Sequence, residues 1–233
     1  MKLALVSLFV LLQHAAANVE KTVFVSPPAQ PPPQDASIDN LLLVPLSEGV
    51  STFRTELEAS FPTKSERHGT VHWFLLEGLR PTTRYEVRIC WMATQPSSFS
   101  LQAYDVDTAF ANAELLTSLS DYSYKRHDKL TEADKELLQR RKASPNEDST
   151  FLFLQVFAAA DYYSLNNTLM TTPPPVAVDI ILDRFILNVF PSSLLSTGLY
   201  LILLAVGAWF LSGWISALLV KPPDAEEISK KTN

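Results

Sequence analysis

The feature that most constrains this chain is an uncharged run near its C-terminal end. No Asp, Glu, Lys or Arg occurs between Phe185 and Val220. The most apolar part, residues 194–220, is longer than the ~20 residues with which an α-helix crosses a bilayer. A helix in a soluble core must present a polar face to water, and this run has none. The sequence therefore predicts one transmembrane helix over residues 191–220.

The N-terminal residues have the pattern of a secretory signal peptide. A lysine precedes an apolar run over residues 3–12, which is too short to span a membrane, and small alanines follow. We expect residues 1–17 to be removed by cleavage between Ala17 and Asn18. A cleaved signal followed by one membrane-spanning helix predicts a type I protein, with residues 18–190 in the lumen of the secretory pathway.

The C-terminal tail, residues 221–233, is then expected in the cytosol, and its lysines agree with the positive-inside rule. Lys230 and Lys231 stand fourth and third from the end. In a cytosolic tail this pair is the dilysine signal by which the COPI coat returns type I proteins to the endoplasmic reticulum. We therefore expect a single-pass protein of the endoplasmic reticulum membrane.

The composition limits the classes of partner and of fold. The formal net charge is −6, which argues against a nucleic-acid partner. Cys90 is the one cysteine, so no intrachain disulfide can form and the luminal domain must be stabilised by its own core. Residues 18–190 are numerous enough to bury such a core.

Short apolar runs in the luminal part predict β-strands. In the clearest of them, Tyr85, Val87 and Ile89 alternate with polar residues, as expected for a strand with one buried face. By this pattern we predict strands over residues 20–25, 41–44, 50–57, 71–76, 85–92, 99–104, 151–158 and 176–183.

The segment between the sixth and seventh predicted strands has a different character. Residues 109–119 and 131–141 are predicted to be helical, and Thr131 with Asp134 resembles a capping box. Lysines and arginines are interleaved with acids along this segment. We interpret it as a solvated or partly disordered insertion, and contact with anionic lipid headgroups or phosphate is the alternative.

The residues around Tyr85 favour a particular fold. Residues 79–88 (LRPTTRYEVR) resemble the corner that precedes the sixth strand of fibronectin type III domains, in which a tyrosine hydroxyl bonds backbone a few residues upstream. We expect Tyr85 to bond a buried carbonyl, with an ordinary hairpin as the alternative. The predicted fold is mainly β: a fibronectin-III-like or immunoglobulin-like luminal β-sandwich with a helical insertion, followed by one transmembrane α-helix.

The sequence gives only weak support to each group of residues that could be catalytic or bind a metal. Asp105 and Asp107 match the carboxylate pair with which many glycosyltransferases hold a metal and a sugar nucleotide, but no alternating strand–helix pattern surrounds them. His68 and His72 lie four apart without a third ligand, and Cys90 has no base beside it. We therefore expect a protein that is not an enzyme, with no catalytic residue, no metal and no cofactor.

One modification site stands out in the luminal part. Asn166 begins the N-glycosylation sequon Asn166-Asn167-Thr168, in a polar loop that precedes a proline cluster. If this loop lies in the lumen, Asn166 is expected to carry a glycan.

Two groups of residues are candidates for binding a membrane partner. Ala208, Ser212 and Ser216 recur every four positions in the predicted span, which lets a second helix approach closely, and a lipid-facing stripe is the alternative. Asp183 and Arg184 precede the span and are expected at the luminal membrane surface. These two residues can equally form a weak surface ion pair.

Four segments carry a resemblance to a known family. They are residues 18–24 (NVEKTVF), 84–91 (RYEVRICW), 158–163 (AAADYY) and 178–183 (VDIILD). Together they resemble the fungal GPI-mannosyltransferase II co-activator family. The resemblance implies a noncatalytic glycoprotein of the endoplasmic reticulum that binds the multi-spanning second mannosyltransferase of glycosylphosphatidylinositol (GPI) anchor synthesis. That enzyme transfers mannose from dolichyl-phosphate mannose.

Two alternative functions fit the same topology. A cargo receptor of the endoplasmic reticulum–Golgi cycle also joins a luminal β-sandwich, one span and a lysine tail. Such receptors usually have a luminal disulfide and a coiled coil before the span, whereas this chain has one cysteine and a β-like run there. An accessory subunit of another glycosylation complex of the endoplasmic reticulum is the second alternative.

Overall fold

The computed structural model describes residues 18–28, 38–64, 66–143 and 150–219. The chain divides into two units, one that ends at Val189 and one that begins at Phe190. The predicted signal peptide with Ala17, the tail with Lys230 and Lys231, and most of the proline-rich segment lie outside the described residues.

The first unit is mainly β, as the alternation of apolar residues predicts. Its strands are β1 (Val19–Val25), β2 (Pro45–Leu46), β3 (Thr52–Leu57), β4 (Thr70–Leu79), β5 (Arg84–Trp91), β6 (Ser97–Asp105), β7 (Thr150–Ala160) and β8 (Val176–Ile186). The strand predicted over residues 41–44 is wrong. Leu41 ends a short 3-10 helix (Ile38–Leu41), and residues 42–44 are not in a strand, because Leu42 has a φ of 52°, which an extended strand cannot contain.

The strands form two sheets. Within the first unit one sheet has the order β1-β5-β8-β3, and its neighbours are antiparallel. The other sheet has the order β2-β4-β7-β6, in which the short β2 runs parallel to β4. Consecutive strands therefore alternate between the sheets, except for β6 and β7, which are hydrogen-bonded neighbours.

Both sheets contribute to one hydrophobic cluster. In β8 the buried residues alternate as predicted, at Val176, Val178, Ile180 and Leu182. The opposite sheet supplies apolar residues such as Phe74, Leu76, Leu154 and Val156. Burial of side chains of this size stabilises the fold by roughly 1.5–3 kcal/mol each, which lets the unit fold without a disulfide.

The strand order differs from that of immunoglobulin domains. In immunoglobulin constant-type domains the first strand pairs with the second, and hairpins join several neighbours. Here β1 pairs with β5, and β2 belongs to the other sheet. Alternation of apolar residues predicts which side of a strand is buried, but it carries no information about which strand lies beside it.

Helices pack on the outer side of the β2-β4-β7-β6 sheet. They are α1 (Val106–Ala111) and α2 (Ala113–Arg126), which bury Val106, Ala109 and Leu119 against Trp73 and Phe153 of that sheet. The Trp73 indole N–H donates to Ser118 Oγ on α2 at 3.2 Å. The helical insertion is therefore part of a second hydrophobic cluster rather than a solvated appendage.

The single helix predicted over residues 109–119 is divided in two at Asn112. This residue ends α1, and its side-chain oxygen accepts hydrogen bonds from the N–H groups of Glu114 and Leu115 at the start of α2. Asp105 caps α1 in the same way through the N–H of Thr108. Asn and Asp are favoured at these positions because they satisfy N–H groups that have no partner within the helix.

The predicted capping box at the start of α3 (Glu132–Ala143) is confirmed. Thr131 Oγ1 accepts from the N–H of Asp134 at 3.1 Å, and Asp134 Oδ2 accepts from the N–H of Thr131 at 3.2 Å. Arg126 connects this cap to the rest of the unit. Its guanidinium lies 3.0 Å from Asp134 Oδ2 and donates to the carbonyl oxygen of Leu42 at 2.9 Å. The remaining short helix of the unit is α4 (Asn167–Thr171).

The second unit consists of β9 (Phe190–Pro191), a 3-10 turn (Ser192–Leu194) and helix α5 (Leu195–Leu219). Among the described residues, Ser192–Leu219 is the one stretch that is helical, long and apolar enough to cross a membrane, with a mean hydropathy of 2.1. None of the side chains of α5 is buried. The helix is apolar on all sides, as expected for a segment surrounded by lipid.

Candidate functional site

A connected polar group in the first unit surrounds Glu48, a residue that the sequence did not single out. Tyr85 Oη donates to Glu48 Oε1 at 2.5 Å and accepts from the N–H of Arg80 at 2.9 Å. The Arg80 and Arg184 guanidinium groups lie 3.3 Å and 3.8 Å from the same carboxylate. The predicted hydrogen bond between the Tyr85 hydroxyl and backbone a few residues upstream is therefore present, but its partner is an N–H group and not a carbonyl.

The environment of Tyr85 favours its neutral form. The ring is fully buried and stacks against Phe24 with ring centroids 6.1 Å apart. Burial, together with the hydrogen bond to Glu48, raises the pKa of Tyr85 to about 12, because both disfavour a phenolate. Tyr85 is thus a structural residue at neutral pH.

An open cavity of about 480 Å³ lies beside this network, between Arg80, Thr83 and the residues that end β8. Its rim is formed by a tight turn in which Leu187 and Asn188 both have positive φ angles, 53° and 57°. Asn188 holds the turn, since its Oδ1 accepts from the N–H of Arg84 at 2.9 Å. The cavity therefore has a basic wall and a fixed turn at its edge.

The structure separates the two residues predicted at the luminal membrane surface. Asp183 is 5% exposed and pairs in register with Glu86, which is also buried. Arg184 pairs with Tyr85 and reaches Glu48. Adjacent residues of a strand point to opposite faces of the sheet, so the two side chains do not share one surface. Arg184 remains accessible, whereas Asp183 is shielded from a partner in this conformation.

The sequon lies in the exposed loop between β7 and β8. Asn166 is exposed and caps α4, because its Oδ1 accepts from the N–H of Thr168 at 3.0 Å. The loop is anchored by Tyr162, whose Oη donates to the carbonyl oxygen of Leu169 at 3.0 Å and whose ring contacts Phe61. The acceptor asparagine is therefore accessible on a defined scaffold.

The residues considered as catalytic or metal-binding candidates do not form a common site, and they have structural roles. His72 is buried with Nε2 2.8 Å from the carbonyl oxygen of Glu58, and burial lowers its pKa; His68 is exposed. Asp105 caps α1 between a strand and a helix, not between two strands. Burial raises the pKa of the Cys90 thiol, which disfavours a reactive thiolate. Within the described residues, no group of three potential ligands is placed to hold a metal.

The small residues predicted to contact a partner lie along α5. Ala208, Ser212 and Ser216 are all exposed, and a Cβ added at Gly207 or Gly213 would have no neighbouring atom within 4 Å. Successive members of the row at 208, 212 and 216 are displaced by about 40° around the axis, so they form one narrow stripe. Their role in binding a partner stays a prediction.

Comparison of the chain with protein-family models, with curated proteins and with solved structures finds no match in any of the three.

Proposed function

We propose that this protein is a noncatalytic, single-pass subunit of the endoplasmic reticulum that stabilises or activates the multi-spanning mannosyltransferase adding the second mannose in GPI-anchor synthesis. The luminal domain and the span together contact the enzyme, and the enzyme carries the chemistry. In this proposal the dilysine pair, Lys230 and Lys231, keeps the subunit in the endoplasmic reticulum through the COPI coat.

The observation that carries the proposal is helix α5. It is apolar on every side, none of its side chains is buried within the described structure, and it bears a stripe of small residues. A helix that served only as an anchor needs length and hydrophobicity alone. The small stripe adds a surface on which a second transmembrane helix can pack closely.

The segments that resemble the co-activator family support the proposal by their arrangement. Residues 18–24, 84–91 and 178–183 lie on β1, β5 and β8, which are hydrogen-bonded neighbours in one sheet. The fourth segment, 158–163, includes the end of β7 in the other sheet. Three of the four segments therefore lie side by side in one sheet, and the fourth lies in the other sheet.

The finer description of the fold is part of the proposal. The two sheets with their shared cluster form a β-sandwich, and the Tyr85–Arg80 hydrogen bond is like that of a fibronectin type III corner. The likeness is confined to that corner, because the strand order differs from the immunoglobulin arrangement. In this proposal the sandwich is a rigid luminal body. Its fold does not by itself identify a function.

Replacing both Ser212 and Ser216 with leucine is expected to reduce recovery of the mannosyltransferase severalfold when the full chain is purified in mild detergent through a luminal tag. Leucine at these positions prevents close helix approach. Gly207→Leu introduces a leucine about 140° around the helix from Ser212 and is the control. Unchanged recovery with the double variant would eliminate the helix-packing part of the proposal.

The same purification distinguishes the alternative functions. Recovery of a multi-spanning mannosyltransferase supports the proposal, and recovery of coat components with diverse cargo supports a cargo receptor. Recovery of a different glycosylation enzyme identifies an accessory subunit of another complex.

Asn166→Asp is expected to abolish the shift in gel mobility that glycosidase treatment produces in the wild-type chain. Aspartate lacks the amide nitrogen that accepts the glycan. Aspartate still offers an oxygen to the N–H of Thr168, so α4 keeps its cap. Thr168→Ala destroys the sequon while leaving Asn166 in place, and it should give the same mobility. A wild-type chain that shows no glycosidase-sensitive step contradicts the luminal orientation or the use of this sequon.

A further inference from the structure

We propose that one end of the β-domain rests on the bilayer, with apolar side chains in the headgroup region and arginines on lipid phosphates. The Leu187 surface, as we name it, comprises Val25, Arg80, Arg84, Arg184, Leu187, Asn188 and Val189. The inference rests on the membrane span of the proposed function. It does not require the mannosyltransferase as partner.

The topology brings these residues to one end of the β1-β5-β8 group. Val25 ends β1 and pairs with Arg84, which begins β5. Tyr85 in turn pairs with Arg184 near the end of β8. The backbone of Ser26 is hydrogen-bonded to Thr82 and Thr83, which closes the same end.

Apolar side chains protrude from this end. Leu187 is 90% exposed, Val189 is 76% exposed and Val25 is 60% exposed. Single exposed apolar residues are common on soluble proteins, but a group of three at one end calls for an explanation. Leu187 also has a φ of 53°, a conformation that is unfavourable for a residue with a Cβ.

Positive charge surrounds the apolar group. Arg80 and Arg84 are exposed, and Arg184 is partly exposed; the Arg84 guanidinium lies 5.1 Å from the centre of the Phe185 ring. Glu48 is the carboxylate that contacts two of these arginines, so the surface keeps a positive excess. The 480 Å³ cavity between Arg80 and Arg184 has room for a headgroup phosphate. Guanidinium groups bind phosphate oxygens through two parallel hydrogen bonds.

The chain itself restricts how far this surface can be from lipid. Val189 is followed directly by Phe190, and the apolar stretch begins at Ser192. Three residues extend at most about 11 Å, so Val189 lies within about 11 Å of the start of the apolar stretch. An apolar group ringed by arginines at such a distance matches a phospholipid surface in both hydrophobicity and charge.

The experiment places a nitroxide label at position 187 in the full chain, reconstituted in nanodiscs. The variant is Leu187→Cys in a Cys90→Ser background. Leu165→Cys is the matched control, because Leu165 is 89% exposed and lies in the loop at the opposite end of β8. Electron paramagnetic resonance measures how often the label collides with oxygen, which enters lipid, and with a water-soluble nickel chelate. Thermal unfolding confirms that each labelled variant is folded.

The label at 187 is expected to collide more with oxygen and less with nickel than the label at 165. The difference should be larger in phosphatidylcholine with phosphatidylinositol than in phosphatidylcholine alone. Replacing Arg80 and Arg84 with glutamine should lower the ratio of docked to undocked protein about fivefold for each arginine.

Three results would contradict the proposal. Equal ratios of oxygen collisions to nickel collisions at positions 187 and 165 mean that the Leu187 surface faces water. Protection of position 187 from both reagents means that protein, such as a second copy of the chain, covers it. A difference that is unaffected by phosphatidylinositol and by the arginine substitutions also refutes the phosphate contacts. No mannosyltransferase is present in these nanodiscs, so the result is independent of the failure or success of the purification experiment above.

Discussion

Replacing Gly69 with alanine is expected to destabilise the first unit by more than about 4 kcal/mol, a loss comparable to the whole stability of many domains. Gly69 has a φ of 77°, a conformation that disfavours any residue with a Cβ. A Cβ there would lie 2.3 Å from the carbonyl oxygen of Ala158 and 2.8 Å from Ala159 Cα. Both are backbone atoms of β7, so a rotamer change cannot relieve the clash.

The position explains why the backbones are so close. Gly69 immediately precedes β4, whose first residue, Thr70, pairs with Ala158. On the other side Ser60 bridges Ala159 and accepts from the N–H of Ala160 at 3.1 Å. A forced shift of β7 would therefore disturb two backbone pairings at once.

The measurement is thermal unfolding of the full chain in detergent, with steady-state abundance in cells as a second readout if the variant does not accumulate. Gly49→Ala is the control, since the nearest atom to its new Cβ would be Ser47 Oγ at 3.8 Å, an ordinary contact. We expect that control to change stability by less than about 1 kcal/mol. Equal unfolding temperatures for the two variants would contradict the described approach of Gly69 to β7.

Replacing Tyr85 with phenylalanine is expected to cost about 1–3 kcal/mol, because it removes two hydrogen bonds of a fully buried side chain. The Arg80 N–H loses its acceptor, while the ring can still stack on Phe24. Tyr124→Phe is the control, since the Tyr124 side chain is mostly exposed on α2. Chemical denaturation at pH 7 measures both variants, and a stability loss equal to that of the control would refute the role of the hydroxyl.

Tyr85 also predicts a pH dependence. Its folded-state pKa of about 12 is raised from the ordinary value of about 10, so the folded state holds this proton more tightly than the unfolded state. The resulting stability is fully present below pH 10 and is lost as the pH rises toward 12. The difference in stability between wild type and Tyr85→Phe should therefore shrink across that window. A constant difference would contradict the raised pKa.

Much of the fold follows from local sequence patterns. The alternation from Val176 to Leu182 predicts the buried side of β8, and the pairing of Thr131 with Asp134 predicts the start of α3. Both depend on residues a few positions apart, so the local sequence contains the information. The division between α1 and α2 at Asn112 was missed, although an asparagine followed by helix-forming residues is a recognisable capping signal.

The candidate sites depend more strongly on distant residues. Glu48 lies far along the chain from Tyr85 and Arg184, and no local pattern indicates that their side chains meet. The alternation of a strand likewise cannot show that Asp183 is buried, because its environment depends on β5, which lies beside it. Polar residues at such positions are expected to be exposed unless the neighbours are known.

The sequence by itself determined the apolar helix, the β character of the first unit and the small residues that line α5, because each follows from the composition or periodicity of a short segment. The tertiary structure decided which strands are neighbours, which carboxylates are buried and which arginines gather around Leu187. Those features join residues that are distant in the chain, and such contacts depend on how all the strands pack together.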